Sequence, residues 1–207
     1  MGAVTVHPTT PDALAAHVVE HVLDVPGRCR VLVDGAAPLR PSQLADALVE
    51  PLRAAGRPVV RVRADDFLRP ASVRYEHGRH DPDAYLEDRL DVGALAREVL
   101  DPFGVDGTYL PTLWDPVRDR ATRAARARAG ERAVLVLDGE LLLGRWLDAD
   151  LAVHLTVRPA TLARRLGPDR VWQLPAFARY EDEVAPQDVA DVVARVDDPR
   201  HPALVVR

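Results

Sequence analysis

At 207 residues and 47% hydrophobic content the chain fits one domain with a sizeable core, and a net charge of −5 with a pI near 5.8 argues against general nucleic-acid binding. Cys29 is its single cysteine, so no internal disulfide forms and a reducing, cytoplasmic compartment is expected. No apolar run approaches the roughly 18 residues of a membrane span. The opening MGAVTVHPTTPD lacks the charged start and apolar run of a secretory leader, and Met1-Gly2 alone is no lipidation signal.

Thr10-Pro11-Asp12 predicts a helix start with proline in its first turn; Leu14, Val18, Val22 and Leu23 follow at helical spacing until Pro26-Gly27. That makes 1–27 an N-terminal helical extension of one domain spanning 1–207. Arg30 to Asp34 reads as a buried strand. Leu44, Ala47, Leu48 and Leu52 predict a helix closed near Gly56, and Val59 to Arg63 a second strand ending at Ala64-Asp65-Asp66-Phe67. Residues 68–90 read as irregular, and Leu95 to Leu100 as a short helix broken at Asp101-Pro102. Residues 104–116 read as a loop or hairpin. Arg118 to Arg132 reads as an arginine-rich helix with a solvated face. Ala133 to Leu137 is the cleanest buried strand, ending at Asp138-Gly139-Glu140. Leu151 to Val157 is another, with a helix through Leu162 and Leu166. Residues 167–187 read as irregular, Val189 to Val196 as helical and Ala203 to Val206 as a closing strand. Strands alternating with helices imply an α/β fold, a three-layer parallel sheet covered on both faces.

Three acidic clusters fall at predicted strand ends: Asp34, Asp65-Asp66, and Asp138 with Glu140. Ligands of open parallel sheets bind there. The segment VLVDGAAPLRPS places Gly35 and Ser42 where a phosphate-binding loop G-x-x-x-x-G-K-[ST] carries its first glycine and its hydroxyl. The second glycine is replaced by Arg40 and the lysine by Pro41. All 27 Lys+Arg residues of the chain are arginine, so no lysine can stand in. Phosphoryl transfer needs a carboxylate to orient the attacking hydroxyl, a carboxylate near Mg²⁺ and cations on the phosphate. Asp65 is the candidate base, and Asp138 with the Ser42 hydroxyl the candidate Mg²⁺ site. Pro41 removes an amide donor and biases Arg40 toward extended geometry, so residues 35–42 are not expected to form a standard anion nest. Arg40 could instead supply the missing charge.

The pieces VLVDGAAPLRPSQLADAL, RADDFLRPASVRYEHGRHDPDAYLED, VLVLDGELLL, LAVHLTVRPATLARR and ADVVARVDDP, in this order over about residues 28–206, resemble the uridine kinase-like and pantothenate kinase-like P-loop kinases. The resemblance implies a P-loop NTPase fold of the nucleoside-kinase type with a short lid at about 164–187, and ATP and Mg²⁺ as cofactors if the chain is active. It carries that family's catalytic aspartate onto Asp65 and its strand-end acid onto Asp138. Its lid arginines fall on Arg164, Arg165 and Arg170, and its nucleoside-contact segment on Tyr75, His80, Asp81 and Tyr85. Two readings follow. One is a phosphotransferase acting on a nucleoside-like small molecule. The other is an inactive homologue that binds a nucleotide, a metabolite or a protein. Neither reading involves nucleic acid or membrane, and both are compatible with a homo-oligomer.

Overall fold

The computed structural model of the chain describes residues 5–206; Met1-Gly2 lies outside them. Seven strands form the central sheet. They are β1 (Thr5–Pro8), β2 (Cys29–Gly35), β3 (Val59–Arg63), β4 (Val134–Gly139), β5 (Leu151–Thr156), β6 (Val192–Arg195) and β7 (Ala203–Val206). Their spatial order is β1-β7-β6-β5-β2-β4-β3. The five strands from β6 to β3 pair in parallel, and β7 runs antiparallel to both β6 and β1. β2 and β4 are almost wholly buried, as strands covered on both faces must be.

The segment expected as a helical extension supplies a helix and an edge strand. Thr10 caps α1 (Pro11–Asp24) through its side-chain oxygen, which accepts from the Ala13 amide at 3.1 Å. Leu14, Val18 and Val22 of α1 lie in the main hydrophobic core. The buried Arg57 closes the base of the sheet, donating to the carbonyls of Val25, Gly27 and Arg132 at 2.7–3.0 Å. The helical stretch after β2 divides into α2 (Pro41–Ala47) and α3 (Val49–Ala54).

Five expectations from sequence are corrected. Residues 68–90 are not irregular throughout: they hold a turn of helix at Ala71–Arg74 and α4 (Pro82–Glu87), capped by Asp81. The helix through Leu95–Leu100 does not break at Asp101-Pro102 but continues as α5 (92–106). Its Leu95–Leu100 segment widens to π-helical turns, and the Glu98 carbonyl that Pro102 cannot serve accepts from the Leu110 amide at 2.9 Å. Arg118 to Arg132 is not a helix. Alanine is its only apolar residue, so a helix there would have no stripe to bury. Asp115 instead turns the chain by accepting from the Val117 and Arg118 amides, and Trp114–Asp115 pairs with Arg120–Ala121. Residues 167–187 are largely helical: α6 (Pro159–Arg170) bends at Gly167 and leads to α7 (Leu174–Val184). Val189 to Val196 is not a helix, because the β-branched Val192 and Val193 complete the parallel sheet as β6.

Candidate functional site

The loop after β2 begins at a position only glycine can fill. A Cβ on Gly35 would lie 2.8 Å from the Leu155 Cβ and 3.1 Å from the Leu155 carbonyl oxygen on the neighbouring strand β5. The chain then makes a 3₁₀ turn, Ala37–Leu39, closed by the Leu39 amide on the Ala36 carbonyl at 2.7 Å and the Arg40 amide on the Ala37 carbonyl at 2.9 Å. Arg40 does not take the extended geometry expected before proline. It is left-handed (φ 60°, ψ 54°), the conformation glycine adopts without cost. Its side chain is exposed and reaches Gln43 at 3.5 Å, in a shallow cavity shared with Pro11, Asp12 and Pro202. Pro41 and the half-buried Ser42 open α2.

The amide of Ala37 donates to Glu140 Oε1 at 2.5 Å. Glu140 is buried, and its carboxylate gathers groups from three other segments. Tyr85 on α4 donates its hydroxyl to Oε2 at 2.5 Å. Arg170, at the end of α6, lies 3.5 Å from Oε1. Arg89 lies 3.8 Å from Oε2 and stacks over the Tyr85 ring at 5.0 Å. Arg89 also donates to Asp65 at 2.7 Å, so the carboxylate at the end of β3 joins the same network. Burial disfavours the Arg89 charge, but its anionic neighbours Glu140 and Asp65 outweigh it and raise its pKa. Burial beside Glu140 holds the Tyr85 hydroxyl in its protonated, donating form.

The other candidates divide. Asp138 is buried and accepts from Arg61 at 2.7 Å; Arg61 in turn holds Asp46 on α2 at 3.0 Å. Burial raises the Asp138 pKa against the pull of Arg61. Arg165 donates to the Val196 and Asp197 carbonyls at 2.9 and 2.8 Å, and Arg164 is exposed, so of the three lid candidates Arg170 reaches Glu140. Tyr75, Asp81 and Tyr85 line one cavity of about 170 Å³ with Arg79, Arg89 and Trp172. The Asp81 carboxylate is used as the cap of α4, accepting from the Ala84 amide at 2.7 Å. The His80 ring stands on Trp172 at 5.2 Å, and Arg74 and Arg79 flank the Tyr75 ring at 4.8 and 4.9 Å. Arg179 ties α7 to α4 through Asp83 and Glu87, at 3.1 and 2.8 Å.

Sequence reasoning placed Glu140 in a strand-end acidic cluster without giving it a role, read Trp172 as a packing residue and missed Arg89, which sits in a polar stretch with no distinguishing pattern. Among the described residues no group of three or more His, Cys, Asp or Glu is arranged to hold a metal ion, and no helix is long and apolar enough to cross a membrane.

No family model and no curated protein matches this chain. Solved structures do. A possible uridine kinase from Bacillus stearothermophilus superposes with a TM-score of 0.71 at 20% identity, covering 87% of this chain and 97% of that one. A candidate fructose transport system kinase from Silicibacter sp. TM1040 gives 0.61 at 26% identity, covering 88% and 90%. The fold is that of the uridine kinase-like P-loop kinases: a mostly parallel sheet with flanking helices.

Proposed function

We propose that this chain uses a nucleoside-kinase fold to bind a small nucleoside-like molecule and has given up the grip on a nucleotide triphosphate. The observation that carries this reading is the Glu140 carboxylate on the Ala37 amide. A phosphate loop works because its amides converge on an anion. Here one amide is taken by a buried carboxylate, those of Leu39 and Arg40 close the 3₁₀ turn, and Pro41 has none. A negative charge already stands where the triphosphate would lie, held by Arg170, the lid arginine that would otherwise meet phosphate. Asp138 is committed to Arg61 and Arg40 is turned toward Gln43. These residues do not fit Mg-ATP. The acceptor side keeps an aromatic, arginine-lined cavity; its rings Tyr75, Tyr85 and Trp172 now carry Arg74 and Arg79, Arg89 and His80, contacts that a stacked base would exchange for its own.

Calorimetry tests this with Mg-ATP, ADP and a panel of nucleosides. The expected result is no heat from Mg-ATP, and nucleoside heat that disappears in Trp172→Ala. Micromolar Mg-ATP binding would overturn the reading. The phosphotransferase alternative has one observation in its favour: Asp65 stands in the turn just past β3 and its partner Arg89 lines the acceptor cavity. If a panel of acceptors shows turnover, Asp65→Asn is expected to lower it by roughly 10²–10⁴-fold in a folded protein, as loss of a positioned base does. Thermal melts would check the fold.

A further inference from the structure

We propose that the cavity between the ends of β2 and β5 and the lid helix α7 is a second ligand site, taking a small, flat, uncharged heteroaromatic ring that carries a hydrogen-bond acceptor beside an N–H donor on one edge. The cavity holds about 410 Å³, within the usual range for small-molecule sites. Its walls are apolar, with Leu39, Leu141, Leu162, Leu174 and Phe177 among them. It does not share a lining residue with the acceptor cavity beside Trp172.

Its polar end is built from fixed groups. Asp34 is wholly buried; one carboxylate oxygen accepts from the Leu142 amide at 2.9 Å, the other from Tyr180 at 2.9 Å and His154 Nδ1 at 2.8 Å. The Tyr180 hydroxyl in turn accepts from the Leu143 amide at 2.9 Å. His154 is therefore locked by its Nδ1, and its Nε2 is left without a hydrogen-bond partner among the described residues. His154 is only 4% exposed, and an unsatisfied polar atom at that depth costs free energy. The Glu181 carboxylate stands 3.7 Å from Nε2, beyond hydrogen-bond distance, and its side chain is 44% exposed. Burial works against a charge on His154, but Asp34 and Glu181 raise its pKa to about 9, so Nε2 carries a hydrogen at neutral pH. The cavity thus presents a donor and, beside it, an acceptor.

An amidine-type edge, a ring nitrogen next to an amino group, answers both: the ring nitrogen accepts from His154 and the amino group donates to Glu181. The apolar walls take the ring faces. Asp34 and Glu181 outnumber the single histidine charge, so a phosphate or carboxylate is disfavoured.

The probes are 2-aminopyrimidine, pyrimidine (acceptor only) and toluene (shape only), titrated by calorimetry into the full chain while the His154 imidazole is followed by NMR. Binding of 2-aminopyrimidine is expected, at least tenfold tighter than pyrimidine, with a shift of the His154 ring signals. Glu181→Ala should remove that tenfold advantage. Ala178→Trp, at an exposed helix position on the cavity wall, should abolish binding; melts of both variants should match the parent. Absence of binding, toluene binding as well as 2-aminopyrimidine, or binding unchanged in both variants would each overturn the proposal. Nucleoside binding beside Trp172 should persist in Ala178→Trp, which separates this site from the acceptor cavity.

Discussion

Arg40 and His154 each hold an unfavourable state in place. Arg40 is left-handed directly before a proline, a position where both its own Cβ and the following ring are crowded. Arg40→Gly should relieve about 1 kcal/mol of that strain, partly offset by the greater freedom of glycine in the unfolded chain. Urea melts should show a small net gain in stability; a clear loss would mean that the arginine side chain stabilises the loop more than its backbone conformation costs. His154 is desolvated, yet Asp34 and Glu181 lift its pKa from 6.5 to about 9. Tyr180 also faces it through Asp34, and the Arg145 charge acts on Tyr180. The folded state therefore binds a proton more tightly than the unfolded state. The stabilisation is complete below pH 6.5 and is lost as pH rises through about 9. At about 1.4 kcal/mol per tenfold it amounts to roughly 3 kcal/mol. Thermal melts from pH 6 to 9.5 should fall over that window, and the slope should flatten in His154→Phe.

At the level of elements, Gly35 illustrates how close the strands must come before the loop can turn. Gly35→Ala would push a methyl to 2.8 Å from the Leu155 Cβ and should destabilise the fold by about 1–3 kcal/mol, read as a lower urea midpoint with unchanged slope. A neutral result would mean that β2 and β5 can separate freely there. The core strands were legible because they are continuous apolar runs: Val31 to Val33 and Val134 to Leu137 could be little else. Two helices were hidden by their own start signals. Asp81-Pro82 repeats the cap-and-proline signature of Thr10-Pro11, and Leu174, Phe177, Tyr180 and Val184 keep helical spacing, but neighbouring Gly167, Pro168 and Pro175 read as breakers. Pro175 in fact sits in the first turn of α7, where its missing amide has no partner to lose. β6 was not legible, since Val192 to Arg195 suits either state and the sheet alone decides it. The candidate site was legible in part. Tyr75, Asp81 and Tyr85 meet in one cavity, whereas the part taken by Glu140 depends on side-chain directions across four segments.

For the molecule as a whole, Glu140 is the joint between the loop after β2, α4 and the end of α6. Its carboxylate touches Ala37, Tyr85, Arg170 and Arg89, and these contacts come from segments up to 103 residues apart in sequence. Restoring the loop by sequence alone therefore addresses only part of the site. Arg40→Gly with Pro41→Lys rebuilds the close-approach position and the charge of the motif, but the added lysine would meet a buried carboxylate already in the anion position and pair with it. Mg-ATP binding by this double variant is expected to stay undetectable. Adding Glu140→Gln keeps the shape and removes the competing charge, so that phosphate has only a neutral amide oxygen to displace from Ala37 and meets an Arg170 no longer paired with a carboxylate. The triple variant is then expected to bind Mg-ATP with a measurable heat, while Glu140→Gln alone gains nothing because Pro41 still lacks both amide and charge. Hydrogen exchange should report the same joint independently, with faster exchange at the end of α6 once the Glu140 charge no longer anchors Arg170. Binding by the double variant without the Glu140 change would show that the carboxylate does not occupy the phosphate position in solution, and the reading of this chain as a closed kinase fold would fall with it.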